Sequence, residues 1–286
     1  MVCVFLGSVA ALVLRYPAEQ MERPVTFGLV LLCAGLSLLV ALWMISTPWP
    51  PGRLKFRSFL FVSLVYVGIL LSAVAQKTAG QPAPGSEALQ LAITALSFQG
   101  AVLILTGRLV AEHGLNPRGA FGFGVNLPRA LAYGLMAAYS IFPLTVGLQM
   151  GSTKLMELLG LDPQVQLAVD ILTLTQSWSD RLILGVVALV LAPVAEELLF
   201  RGILYPALKG MGYPRLAFWS TAAVFSLIHF NMATFLALFA FACLLNLLYE
   251  WTGNLLTCMV AHATFNAINL VMLMVMQHYF ADPLGL

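Results

Sequence analysis

The chain has 286 residues, of which 60% are hydrophobic and only 9% charged, with a formal net charge of +2. Because soluble domains carry about 25% charged residues, this composition excludes a soluble globular protein and indicates a polytopic membrane protein in a lipid bilayer. The small net charge gives no argument for nucleic-acid binding. The four cysteines lack the paired spacing of a disulfide framework or a zinc knuckle. The length suits a single polytopic membrane domain over residues 1–286.

Continuous apolar runs follow one another along the chain, most of them near the ~20 residues that a membrane-spanning helix needs. They predict an all-α fold, a helical bundle of eight or nine transmembrane helices. The first run is short, and its flanking residues favour a retained helix over a signal peptide. The candidate spans lie roughly at 2–14, 26–46, 58–75, 88–107, 129–148, 182–204, 215–230, 232–250 and 254–277.

Two features of the connecting segments suggest how the bundle sits in the membrane. Basic residues concentrate in three predicted loops, which share one side if there are nine spans, and the positive-inside rule predicts that this side is cytoplasmic. We expect an integral protein of a prokaryotic cytoplasmic membrane. The segment 151–180 alternates apolar helical spacing with acidic residues and predicts an interfacial helix, either a lid or a plain connector. The basic loop residues are Arg53, Lys55, Arg57, Arg108, Arg118, Arg129, Lys209 and Arg215.

The run 193-PVAEELLFRG-202 places three ionisable side chains in the second half of a predicted span. Each charge at the centre of a membrane helix costs about 2.5–3.5 kcal/mol on insertion scales, so pairing is needed to reduce this cost. Glu197 and Arg201 are four residues apart with the acid first, which is the favoured order for a helical ion pair. Glu196 is turned about 100° away from Glu197 and must face something else.

Two further polar clusters follow on the next apolar runs. In 225-FSLIH-229, Phe225 and His229 share a helix face, and in 262-HATFN-266, His262 and Asn266 do the same. If Gly212 marks a turn between antiparallel helices, Glu196 and His229 both lie about 24 Å from it and therefore at one depth. A buried site on three helices is thus predicted within a catalytic core at about 182–277.

The chemistry of these groups indicates hydrolysis. A carboxylate and an imidazole are what general-base activation of water needs, and a histidine and an asparagine one turn apart can direct N–H donors at a developing oxyanion. Each group taken alone has a plainer interpretation, because intramembrane Glu, His and Asn side chains also hold helices together. Their occurrence in succession favours a common site.

The three elements 196-EELLFR-201, 225-FSLIH-229 and 262-HATFN-266 stand in the order and spacing EExxxR, FxxxH and HxxxN. In this the chain resembles the CPBP (CAAX protease and bacteriocin-processing, or Abi) family of intramembrane glutamate endopeptidases, over roughly residues 182–277. The resemblance implies a glutamate-type protease on an eight-helix scaffold. It further implies that Glu196 and His229 activate water, that His262 and Asn266 hold the oxyanion, and that Glu197 and Arg201 organise the site.

Three other functions compete with this hypothesis. Two histidines and a carboxylate are also a common catalytic zinc set, although HExxH is absent and the ligands would come from three helices. No cofactor is expected, with zinc as the alternative. A non-catalytic immunity or scaffold protein of the same family is the second alternative, and a proton-coupled transporter is the third. The sequence leaves open whether the substrate is a prenylated CAAX tail, a bacteriocin precursor or another membrane-anchored peptide or protein.

Overall fold

The computed structural model describes residues 99–280, with gaps at 101, 104–105, 108, 112, 124–125, 167–168, 170–171, 174 and 176. These residues belong to the compact unit Ala88–Leu286. The predicted spans at 2–14, 26–46 and 58–75, most of the span at 88–107, and the basic loop at 53–57 lie outside the described residues. The total of eight or nine spans and the single domain over 1–286 therefore stay predictions.

The described part is helical and contains no strand, which agrees with the predicted all-α class. The described residues between 99 and 111 are helical, as are residues 169, 172 and 173, and six further helices have defined bounds. Each starts where a proline or asparagine, or in one case a serine, suits a helix N-terminus; at the last helix, Asn254 Oδ1 accepts from the Leu256 N–H at 2.9 Å. The six are α1 (Pro117–Ala120), α2 (Leu127–Leu158), α3 (Trp178–Gly210), α4 (Pro214–Leu227), α5 (Met232–Thr252) and α6 (Leu255–Phe280).

Four described helices are long and apolar enough to cross a membrane: Leu127–Leu158, Trp178–Gly210, Met232–Thr252 and, within α6, Leu255–Met276. The protein is thus an integral membrane protein built from helices. α2 has 32 residues, or about 48 Å at 1.5 Å per residue, which exceeds the ~30 Å thickness of the hydrocarbon core. Pro143 lies inside this helix.

Two predicted boundaries were wrong. The segment 151–180 does not form a separate helix from its start, because residues 151–158 continue α2 and residues 161–166 are not helical, whereas residues 169, 172 and 173 within it are helical. The predicted span 215–230 is the 14-residue helix α4, which ends at Leu227. At about 21 Å it is too short to cross the hydrocarbon core alone. His229 consequently lies in the turn between α4 and α5.

The bundle is organised around α2, which packs along both α5 and α6, while α4 packs on α5 and the middle of α3 packs on α6. Small residues allow these close contacts. A Cβ at Gly134 of α2 would lie 2.7 Å from the Val260 side chain and 2.9 Å from the Thr257 carbonyl oxygen of α6. Between α5 and α6, the rings of Phe241 and Phe265 stack at 4.1 Å.

One end of the bundle brings several helix termini together. The backbone N–H of Leu255 donates to the carbonyl oxygen of Phe121 at 3.0 Å, and a Cβ at Gly122 would collide with the carbonyl oxygen of Gly253. Gly122 also has φ +69°, so this glycine serves a tight backbone crossing. Nearby, Lys209 at the end of α3 pairs with Glu250 near the end of α5.

Candidate active site

The centre of α3 is an irregular helix that carries both glutamates. The α-helical segment Ala192–Glu197 lies between two π-helical segments, Val187–Leu191 and Leu198–Leu204. π-Helical turns are rare and occur frequently at functional sites, because the wider turn redirects side chains. Glu196 and Glu197 end the α-helical segment, and Arg201 lies in the second π-helical one.

Glu197 and Arg201 form the buried ion pair that their spacing predicts. Arg201 Nη1 lies 3.1 Å from Glu197 Oε1, and both side chains are 0% exposed. Arg201 Nε also donates to Asn246 Oδ1 at 3.0 Å, and Nη2 donates to the Ala242 carbonyl oxygen at 3.0 Å. A buried charge of this kind is tolerated only when its other donors are satisfied as well, and α5 supplies both remaining acceptors.

The imidazole of His262 joins the two glutamates of α3 from the neighbouring helix α6. Its Nδ1 lies 2.8 Å from Glu197 Oε1, the same oxygen that accepts from Arg201, and its Nε2 lies 3.9 Å from Glu196 Oε2. Since the carboxylate accepts, Nδ1–H donates to Glu197. The neutral imidazole then presents a lone pair at Nε2, and only the imidazolium offers a second N–H there.

Both glutamates keep one buried carboxylate oxygen without a hydrogen-bond partner among the described residues, and of the two only Glu196 is partly exposed. Its side chain is 13% exposed, and its Oε2 is buried without a hydrogen-bond partner among the described residues. An unpaired buried carboxylate oxygen is costly, and Glu196, unlike the completely buried Glu197, is accessible enough to receive a reactant. The sequence prediction that Glu196 faces away from the Arg201 pair is confirmed.

The structure brings His229 to the edge of this cluster. Its Nδ1 lies 2.8 Å from the Phe225 carbonyl oxygen, so the ring folds back over the end of α4. The Phe225 ring lies 5.1 Å from the His229 ring and 5.6 Å from the His262 ring, which places both imidazoles against one phenyl group. No hydrogen bond or ion pair joins Glu196 to His229 within the described part of the chain.

The turn that carries His229 has an unusual backbone. Phe230, the next residue, has φ +49°, which is uncommon for a bulky side chain. Asn231 then caps α5, because its Oδ1 accepts from the Thr234 N–H at 3.0 Å, while its Nδ2 donates to the Gln164 carbonyl oxygen at 2.8 Å. The His229 turn is therefore fixed from both sides, by α5 and by the segment 161–166.

Asn266 is one helical turn beyond His262 but makes a separate contact. Its Nδ2 donates to the Ala188 carbonyl oxygen in the first π-helical segment of α3, at 2.9 Å. The structure thus groups Glu196, Glu197, Arg201 and His262 directly, adds His229 through Phe225, and keeps the Asn266 amide bound to the backbone of α3.

The described residues contain no group of three or more His, Cys, Asp and Glu side chains placed to hold a metal ion. The His262 and Glu197 atoms nearest to one another already share a hydrogen bond. Zinc thus stays an alternative that needs a biochemical test.

Residues 177–268 match the family model described as type II CAAX prenyl endopeptidase Rce1-like. The predicted family resemblance is confirmed over these residues. The Bacillus subtilis (strain 168) protein named "Uncharacterized protein YpbD" is 35% identical over 83 residues, which make up 28% of this chain and 40% of that relative. The chain thus spans less than half the length of this curated relative. No solved structure matches the chain.

Within residues 177–268, Asn246 is a buried polar residue that was not predicted to belong to the site. Its Oδ1 accepts from Arg201, 45 positions earlier in the chain. An asparagine inside the apolar run 232–250 was the available signal, because buried amides in membrane helices bond to other helices. The sequence could not identify which helix it would meet.

Proposed function

We propose that this chain is an intramembrane endopeptidase that hydrolyses a peptide bond of a membrane-anchored or prenylated CAAX-like substrate with water activated by glutamate and histidine. The Rce1-like match over residues 177–268 supports this reaction class. The observation that carries the proposal is the buried, unpaired Glu196 Oε2 facing His262 Nε2 across 3.9 Å. This pair provides an acceptor for a water proton in a water-poor environment.

In the proposed reaction, Glu196 accepts a proton from a water molecule while the oxygen of that water attacks the scissile carbonyl carbon. The carbon–oxygen bond forms, and the carbonyl oxygen becomes an oxyanion. When this tetrahedral intermediate collapses, the carbon–nitrogen bond breaks and the leaving amine takes up the proton that Glu196 accepted from water. His229 is the proposed partner of Glu196 in these proton transfers, because its ring lies on the same phenyl group as His262.

His262 and Asn266 are proposed to stabilise the oxyanion. For His262 this role requires the imidazolium, because its Nδ1–H is engaged by Glu197. For Asn266 it requires the amide to exchange the Ala188 carbonyl oxygen for the substrate. Glu197 and Arg201 are proposed to hold His262 in place rather than to touch the substrate. The proposed site uses only side chains of the chain, without a cofactor.

Such a site suits a substrate held in or at the bilayer. The glutamates lie in the middle of the 33-residue helix Trp178–Gly210, and Glu196 is only 13% exposed. A peptide therefore has to be brought to this depth by a membrane anchor or a lipid group. We propose a prokaryotic cytoplasmic membrane as the location.

The test compares wild type with Glu196→Gln, which removes the proton acceptor but keeps the side-chain shape. The matched control is Glu157→Gln, because Glu157 forms an exposed pair with Lys154 on α2. Peptide termini in membranes from expressing cells would be compared by mass spectrometry. Each purified protein in liposomes would also be assayed with an internally quenched farnesylated peptide that ends in a CAAX sequence.

We expect wild type and Glu157→Gln to generate the same new termini and Glu196→Gln to lose them. The cleavage rate of Glu196→Gln should fall about 10²–10⁴-fold, the usual contribution of general-base catalysis. Equal termini and equal rates for folded wild type and Glu196→Gln would refute the protease and support a scaffold or immunity protein.

A further inference from the structure

Asn246 is a completely buried polar side chain on α5, within the otherwise apolar stretch 235–248. It is 0% exposed, and all of its hydrogen-bond partners belong to other helices. Its Oδ1 accepts from Arg201 Nε of α3 at 3.0 Å, and its Nδ2 donates to Phe218 and Thr221 of α4. This one amide therefore connects three helices at the level of the glutamates.

The geometry around Arg201 makes its orientation depend on α5. A guanidinium is planar and rigid, so fixing it in three directions fixes the whole group. One direction is set by Glu197 on its own helix, and the other two by the Ala242 carbonyl oxygen and by Asn246 Oδ1, which lie one turn apart on α5. Of these three acceptors, only the Asn246 amide can be replaced by mutation without removing a charge, because Glu197 is charged and the Ala242 oxygen belongs to the backbone.

The amide of Asn246 is held in a single orientation by its contacts with α4. Its Nδ2 donates to the Phe218 carbonyl oxygen at 2.8 Å and to Thr221 Oγ1 at 3.1 Å, and Thr221 in turn donates to the Ala217 carbonyl oxygen at 2.7 Å. A flipped amide would direct N–H donors at the N–H of Arg201 and its oxygen at a carbonyl oxygen. The acceptor is thus presented to Arg201 in one orientation.

These contacts form a continuous relay of hydrogen bonds from Asn246 to His262. Asn246 holds Arg201, Arg201 holds Glu197 Oε1 at 3.1 Å, and the same oxygen accepts from His262 Nδ1 at 2.8 Å. We propose that Asn246 is a positioning residue that sets the place of the His262 imidazole through Arg201 and Glu197. This inference rests on the proposed protease function and adds α5 to the helices that shape the site.

Other side chains at position 246 would meet only part of these demands. Leucine has the same branching at Cγ, is somewhat larger and suits a membrane helix, but it leaves Arg201 Nε without an acceptor in a buried site. Aspartate keeps an acceptor but loses the donor to Phe218 and adds a carboxylate that competes with Glu197 for Arg201. Asparagine alone supplies a neutral acceptor on one side and a donor on the other.

The test uses Asn246→Leu, with Thr221→Val as a milder variant that removes one of the two Nδ2 partners and leaves Asn246 in place. The matched control is Asn269→Leu, because Asn269 is also an intramembrane asparagine but bonds only to the Phe265 carbonyl oxygen of its own helix. The protein is labelled with [15N]histidine and reconstituted in lipid nanodiscs. Since the chain has four histidines, the His262 signal is assigned by its loss in His262→Gln.

We expect the His262 Nδ1 signal to shift in Asn246→Leu, to shift less in Thr221→Val and to stay in place in Asn269→Leu. With the farnesylated CAAX peptide, kcat of Asn246→Leu should fall about a hundredfold, as expected for a displaced catalytic group, while KM stays within about twofold. In addition, the double variant Arg201→Lys/Asn246→Leu should cleave the peptide no more slowly than the single variant Arg201→Lys, because both substitutions act through the guanidinium of Arg201.

The outcomes separate this inference from the proposed function. An unmoved His262 signal in folded Asn246→Leu and Thr221→Val overturns the relay. A shifted signal with unchanged kcat overturns the positioning role, and a loss of activity that only follows lower thermal stability does the same. If wild type cleaves neither the peptide nor any Glu196-dependent membrane substrate, the proposed function itself fails, and the positioning role fails with it.

Discussion

Glu197 and His262 are separated by 65 positions in the sequence, yet they meet at 2.8 Å with side chains that are 0% and 4% exposed. The same Glu197 oxygen accepts from Arg201. One carboxylate oxygen therefore joins the cation of α3 to the imidazole of α6. This arrangement pairs the buried cation of Arg201 and at the same time orients the ring nitrogen that faces Glu196.

Replacing Glu197 with glutamine is expected to destabilise the protein strongly. Removing one partner of a buried ion pair typically costs about 3–5 kcal/mol, because the remaining charge stays buried and uncompensated. Here Arg201 would keep its bonds to Asn246 and Ala242 but lose its counter-charge. Thermal unfolding in a mild detergent, followed by tryptophan fluorescence, measures the effect.

Two comparisons make the Glu197 prediction specific. Glu157→Gln should change stability by less than about 1 kcal/mol, because its pair with Lys154 is exposed. The double variant Glu197→Gln/Arg201→Met should recover part of the stability by removing both charges. A Glu197→Gln protein as stable as wild type would show that the pair is not buried in the membrane-embedded protein.

Gly134 and Gly147 lie on the same helix and should respond to alanine with opposite signs. A Cβ at Gly134 would lie 2.7 Å from Val260 Cγ1, whereas one at Gly147 would have nothing within 4 Å. Gly134→Ala should therefore cost about 1–3 kcal/mol through overpacking between α2 and α6. Gly147→Ala should gain up to about 1 kcal/mol from helix propensity. If the unfolding temperatures of both variants shifted in the same direction relative to wild type, this packing would be contradicted.

The sequence predicted those parts of the site that depend on local helix geometry. The Glu197–Arg201 pair is a contact between residues four apart on one helix, so spacing alone was sufficient. The bond between Arg201 and Asn246 joins helices 45 positions apart and depends on how α5 rotates against α3. Hydrophobicity does not determine this rotation, because an apolar helix in lipid has little distinction between its faces.

The end of α4 is a second feature that could not be predicted from the sequence. The run 215–230 is apolar throughout, so nothing in its hydropathy marks the end of the helix at Leu227. The termination instead depends on the backbone of the next residues, including Phe230 at positive φ and the cap supplied by Asn231. FxxxH spacing predicted correctly that His229 lies near Phe225, but the contact is made by a turn rather than by a helix face.

Two variants of Asn231 should separate the stability that helix capping contributes from the stability that the contact with the segment 161–166 contributes. Asn231→Ala loses both the cap on Thr234 and the bond to Gln164, and we expect it to cost about 0.5–2 kcal/mol from the cap alone. Asn231→Asp keeps the cap acceptor and loses only the donor to the Gln164 carbonyl oxygen. Thermal unfolding should therefore rank wild type and Asn231→Asp above Asn231→Ala. An equal loss in both variants would assign the stability to the Gln164 contact rather than to the cap.

Chelation tests the zinc alternative directly. In both histidines near the glutamates, Nδ1 is already engaged, by Phe225 in His229 and by Glu197 in His262. A zinc site would have to use the two Nε2 atoms and Glu196 as ligands. Glu196 would then no longer be free to act as the base. We therefore expect 1,10-phenanthroline to leave cleavage of the farnesylated CAAX peptide unchanged, while a zinc metalloprotease treated in parallel loses its activity. Loss of cleavage that added zinc restores would instead establish a metalloprotease and assign Glu196 and the two histidines as ligands.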